Sequence, residues 1–169
     1  MGRRGWLASG VAAATAAAFP VGRWLRGGDV PPSARRGGLR SDPEGVLDLR
    51  EGFTYRILER SGARMDDGLP VPIRPDGMAC FDLPGEGWVL TRNHELPVGF
   101  PCPGRPAYDP AAGGGVSRLV IDPDTLTRRS SNLLLAGTAM NCSGGAGAGG
   151  WLSCEEAVDP GHGFVFLCD

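Results

Sequence analysis

The chain has 169 residues with a formal net charge of -2, and its punctuation is dense: 28 are glycine and 15 proline, against 21% charged and 7% aromatic. So many breakers argue against long helices, the near-neutral balance argues against an electrostatic nucleic-acid partner, and the length allows one domain or part of a larger one. All 17 basic residues are arginine, so a phosphate-cradling P-loop, which needs Gly-Lys-Ser/Thr, is excluded.

Residues 1–26 read as a targeting segment. The twin arginine Arg3-Arg4 precedes an aromatic, a leucine and an alanine-dominated run over residues 7–19, which resembles a Tat export signal. That run is shorter than the roughly 20 residues of a membrane span, so no stable transmembrane span is expected. Ala-x-Ala sites, the last at Ala16-Ala17-Ala18, are candidate cleavage points, and Arg23 and Arg26 leave the position open. Export by the Tat machinery to the periplasm or the outside is the expectation. Residues 27–44, rich in Gly, Pro, Arg and Ser, lack the apolar content to pack and read as a flexible linker.

Residues 45–169 read as successive short strands. Residues 46–49 and 53–58 alternate well enough to be strands, with Glu51-Gly52 as the turn between them. Asp76-Gly77 opens a strand over 78–81, and Pro84-Gly85-Glu86-Gly87 turns it into a second arm over 88–91. The arm closes on Arg92-Asn93-His94-Glu95, a cluster of polar side chains where a strand meets a loop. Residues 96–115 show no period and read as a long surface loop. A second hairpin joins 116–121 to 126–135 through Asp122-Pro123-Asp124-Thr125, and a third joins 151–154 to 163–167. The fold class expected is all-β. Hairpins in this succession suit a sandwich or propeller blades, and about eight strands supply roughly two blades, so the expected domain is an incomplete propeller.

Chemistry concentrates at Asn141-Cys-Ser-Gly-Gly-Ala-Gly-Ala-Gly-Gly-Trp-Leu-Ser-Cys-Glu-Glu156, where a thiol and two carboxylates bracket a glycine-rich loop. Thiolate and carboxylate in one place point to a metal. Alternation along 151–154 sends Glu155 and Glu156 to opposite faces, so only one of them faces Cys142 easily. Residues 145–150 fit the spacing G-x-G-x-x-G, but a strand follows where a dinucleotide fingerprint needs a helix. The alternative is a buried Cys142 acting as a small hydrophobe beside a solvated glutamate pair. Five cysteines, an odd number without C-x-x-C spacing, argue against a structural zinc site and leave at least one thiol free. His94 reads as a structural side chain at a strand end, while Asn93 and Glu95 offer oxygen to a hard cation. Asp66, Asp67 and Asp76 read as turn aspartates beside glycine.

Several of these stretches together resemble the N-terminal portion of the PhoX family of bacterial alkaline phosphatases. They are the Tat-like start, Glu51-Gly-Phe-Thr-Tyr-Arg-Ile-Leu58, Arg74-Pro-Asp-Gly-Met78, Arg92-Asn-His-Glu95, Asn141-Cys-Ser-Gly-Gly and Trp151-Leu-Ser-Cys-Glu-Glu156. The resemblance implies a β-propeller whose axial site holds iron and calcium, and hydrolysis of phosphate monoesters outside the cytoplasm. By position it implies Cys142 as the thiolate on iron, Glu156 or its neighbour Glu155 as an acidic ligand, and Asn93 and Glu95 near the cations. The chain departs from the family between Cys142 and Trp151, with Gly-Ala-Gly-Ala-Gly where Thr-Pro-Trp-Gly is usual. The reading that follows is the N-terminal part of a phosphatase, inactive alone. Its rival is a non-catalytic secreted propeller that binds a ligand or partner.

Overall fold

The computed structural model describes residues 38–169, and every regular element among them is a β-strand. The targeting segment expected over 1–26, and the linker as far as residue 37, lie outside the described residues. What is described falls into two compact units divided between Tyr55 and Arg56.

In the first unit, β1 (Leu39–Arg40) pairs antiparallel with β2 (Leu49–Arg50). Asp42 organises the turn between them. Its carboxylate accepts the Tyr55 hydroxyl at 2.5 Å and the amides of Glu44, Val46 and Leu47. The Tyr55 bond leads in holding its pKa down at about 2, with the three amides adding to it against a smaller effect of burial. These bonds take the amides that a strand over 46–49 would need, so only its last residue pairs. The strand expected over 53–58 does not form either. Phe53 is 70% exposed, and the Arg56 side chain donates to the carbonyls of Thr125 and Leu126 within the second unit.

The second unit holds two antiparallel meanders. The first is a four-stranded sheet in the order β3 (Pro75–Leu83), β4 (Gly87–His94), β5 (Gly114–Ile121) and β6 (Arg128–Thr138). The expected hairpins are its two outer pairs. Asp122 shapes the second turn, accepting the amides of Asp124 and Thr125 and gripping the Arg129 guanidinium. A central position in the sheet leaves β5 buried almost throughout. The other meander is three-stranded: β7 (Asn141–Gly147), β8 (Gly150–Glu155) and β9 (Val165–Cys168).

The glycine-rich stretch is thus not the loop expected from its composition. It is a strand, closed by a two-residue hairpin at Ala148 and Gly149. A ladder uses backbone groups alone, and glycine is required here by packing: a Cβ on Gly144 would stand 2.0 Å from the Leu152 carbonyl and 2.6 Å from the Trp151 ring. Trp151, Cys168 and Val116 form the core, with Ala79, Phe81, Leu134 and Leu135 packed against it. Burying side chains the size of Val116 or Trp151 contributes roughly 1.5–3 kcal/mol each. The architecture is all-β, with no closed barrel among the described residues.

Candidate metal centre

Hairpin register brings the first two acids together. The ladder of β3 and β4 runs from Leu83↔Gly87 to Met78↔Arg92, is irregular between Met78 and Pro75, and resumes at Pro75↔His94. Asp76 and Gly77 occupy the irregularity, and the Glu95 amide donates to the Arg74 carbonyl at 3.0 Å. A carboxylate from each arm therefore reaches the same end of the hairpin.

Glycine then admits the third group. A Cβ on Gly77 would meet the Cys142 carbonyl oxygen at 2.6 Å and the Ser143 Cα at 3.1 Å, so β7 can approach β3 this closely only because Gly77 has none. The result is that a carboxylate oxygen of Asp76, one of Glu95 and the Cys142 Sγ all lie within 4.8 Å of one another. Glu156 adds a fourth group. Its negative charge acts on both Cys142 and Glu95.

Negative charge accumulates here. Burial pushes the Glu95 carboxyl above the usual range; a hydrogen bond to Asp76 and the charges of Asp76 and Glu156 push it further, with Arg74 opposing them. A hydrogen bond between two carboxyl groups requires a proton on one of them. Burial likewise raises the Cys142 thiol, followed by the charges of Asp76, Glu156 and Glu95. A cation placed among these groups reverses the balance: it favours the carboxylates and the thiolate together. One sulfur with two or three carboxylates is a mixed donor set, suited to an ion that accepts both.

The other residues singled out by the sequence stand elsewhere. Asn93, fully buried, is a bracket: its amide nitrogen donates to the carbonyls of Cys142 and Ser143 at 3.3 and 3.0 Å. Its oxygen accepts from the Trp151 indole and the Ser153 hydroxyl, both at 2.8 Å, which uses both lone pairs. It holds the backbone of Cys142 in place and presents no free oxygen to the cluster. Glu155 lies on the other face of β8, as alternation requires. Its carboxylate accepts the amides of Ala139, Gly163 and Phe164 and meets the His162 ring at 2.9 Å, so it too is fully engaged.

His94 is buried and structural. Its Nδ1–H donates to the Ile73 carbonyl at 3.0 Å, and its Nε2 is 2.8 Å from the Ser117 hydroxyl. Burial carries its pKa down to about 4, so the ring is neutral at pH 7 and Nε2 accepts from Ser117. Asp76 is the residue that sequence reasoning set aside as ordinary turn chemistry. A signal was present: Asp76-Gly77 opens a strand that must fold back along residues 92–95, which puts Asp76 beside Glu95.

The family model of alkaline phosphatase PhoX matches residues 34–101, which agrees with the resemblance read from the sequence. The matched stretch contains Asp76, Asn93 and Glu95 and stops short of Cys142 and Glu156. No curated protein and no solved structure matches the chain.

Proposed function

We propose, from the match to alkaline phosphatase PhoX and the cluster at the end of β3, that this chain is the N-terminal part of an exported, metal-dependent hydrolase of phosphate monoesters. The observation that carries the reading is the convergence of Asp76, Glu95 and Cys142, with the charge of Glu156 acting on the thiol. Such a group, short of positive charge, fits the iron and calcium that the family resemblance implies. Cys142 would hold iron through sulfur, and Asp76, Glu95 and Glu156 would supply oxygen to iron or calcium. The bound metals supply polarisation of a phosphoryl oxygen and orientation of the attacking one. The chain's own residues do the positioning: Asn93 fixes the Cys142 backbone, Gly77 admits it, and the β3–β4 register presents the two acids. In this reading the two meanders are blades of a propeller, the Tat-type segment carries the folded chain to the periplasm or beyond, and export follows metal loading.

One thiolate and three carboxylates are few donors for a centre of several metals, so the chain by itself is expected to bind metal without turning over substrate. The test is iron and calcium content after purification, with a chromogenic phosphate ester assayed in parallel. Iron retained by the chain and lost in Cys142→Ala and Glu95→Gln supports the reading. Equal iron in both variants, or none in the parent chain, overturns the metal centre and leaves a non-catalytic β module. Turnover by the chain alone overturns the incomplete site.

A further inference from the structure

We infer that Arg74 and the apolar cavity beside it form the substrate side of this centre, and that the monoester it accepts carries an aryl or branched alkyl group. The inference rests on the phosphatase reading and adds to it the class of ester.

Arg74 joins the two regions. Its guanidinium lies 5.8 Å over the Phe100 ring, and its charge acts on Glu95 in the acid cluster. Its backbone sits at φ 52°, in the left-handed region that side chains other than glycine seldom adopt. The strain is held from both sides. The Arg74 carbonyl accepts the Glu95 amide at 3.0 Å, and the preceding carbonyl, of Ile73, accepts the buried His94 ring at 3.0 Å. A guanidinium beside a cluster of acids that can hold a cation is suited to grip two oxygens of a phosphate dianion.

Behind it is a cavity of about 410 Å³, walled by Val71, Ile73, Leu96, Phe100 and Pro101 among others. Ile73 and Leu96 are the chain neighbours of Arg74 and Glu95, so one pair of backbone segments carries both the charged cluster and the apolar wall. Phe100 is seated on Gly113, where a Cβ would stand 2.5 Å from the Phe100 Cβ, so the wall is preformed. Its one polar side chain, Cys102, already donates to the Gly104 carbonyl at 3.2 Å. Hydroxyl groups of a polyol ester would lose water there without side-chain partners, whereas a ring or branched chain would bury apolar surface.

The test uses two phosphonates that cannot be hydrolysed. Phenylphosphonate and methylphosphonate are titrated calorimetrically into the chain loaded with iron and calcium. The expected result is about tenfold tighter binding of the phenyl compound, the gain from partly burying a ring. Phe100→Ala should remove most of that preference. Ile73→Trp, which fills the cavity without emptying the wall, should do the same if Phe100→Ala fails to fold. Arg74→Gln should weaken both ligands by the same factor, with Arg74→Lys in between. Equal binding of the two phosphonates, or a preference that survives both cavity variants, overturns this inference and leaves the metal centre standing. A chain that takes up metal but neither phosphonate, or takes up no metal, overturns the phosphatase reading with it.

Discussion

Gly77 rests directly against the peptide of Cys142, with no room between them for a methyl group. Gly77→Ala must therefore push β7 away from β3, at a cost of about 1–3 kcal/mol from overpacking. A lower urea midpoint with an unchanged slope, together with weaker iron retention, is the expected outcome. Gly145→Ala is the control, since nothing lies within 4 Å of the Cβ it would add. Equal effects of the two substitutions would show that the close approach is not what positions the thiol.

Asn93 satisfies four polar groups at once, two of them in buried bonds. Asn93→Ala leaves the Trp151 indole, the Ser153 hydroxyl and the carbonyls of Cys142 and Ser143 without this partner, for a loss on the order of 3 kcal/mol. Asn93→Asp keeps an acceptor for Trp151 and Ser153 but turns a carboxylate oxygen toward two carbonyls, so it should also destabilise. Equilibrium unfolding followed by tryptophan fluorescence measures both. A variant that unfolds like the parent would reduce Asn93 to a bystander.

Glu95 should trade stability for binding. Its carboxyl is raised in the folded chain, so the folded state holds the proton more tightly than the unfolded one. Without metal, stability therefore rises as pH falls through the range where Glu95 protonates, and is lower above it. Glu95→Gln removes that penalty: the metal-free variant should be at least as stable as the parent at pH 7, with iron affinity down tenfold or more. Thermal melts with and without chelator, over pH 4–8, separate the two effects. A metal-free variant less stable at neutral pH would contradict the charge accounting.

His162 works in the opposite sense. Its ring, 2% exposed, lies between Glu155 at 2.9 Å and Asp109 at 3.2 Å, and Tyr108 packs against it edge to face. The Glu155 hydrogen bond raises its pKa; burial opposes this and Asp109 adds to it. That stabilisation is full below the ordinary histidine value and fades as pH rises through the raised one. Burial pushes Glu155 up, but bonds from Phe164, His162, Ala139 and Gly163 outweigh it and leave it lowered; the Ala111 amide, then His162, lower Asp109. Their contribution holds above the ordinary carboxylate range and is lost as pH falls through the lowered values. Stability from this clasp should be greatest at weakly acidic pH. His162→Gln should flatten its alkaline side in a pH series of unfolding midpoints, and a slope unaltered by the substitution would refute the clasp.

Short-range order was legible in the residues themselves. Alternation and turn chemistry located the three hairpins, because the period of two and the glycine or aspartate turns are local properties. The same period separated Glu155 from Glu156, although it could not say which would meet Cys142. Where pairing partners decide, the reading failed: residues 53–58 alternate like a strand but have no partner ladder, and residues 141–147, read as a loop from their glycine content, have one.

Thus the residues alone determined an all-β chain in which a thiol and an acid near the third hairpin are candidates for one ion. The tertiary structure decided that Glu156 faces the thiol while Glu155 braces a histidine, that Asn93 is a bracket, and that Asp76 joins the cluster. The physical reason is that these outcomes depend on an irregular register between β3 and β4 and on two backbones meeting at Gly77. Neither is written in the periodicity of any single strand.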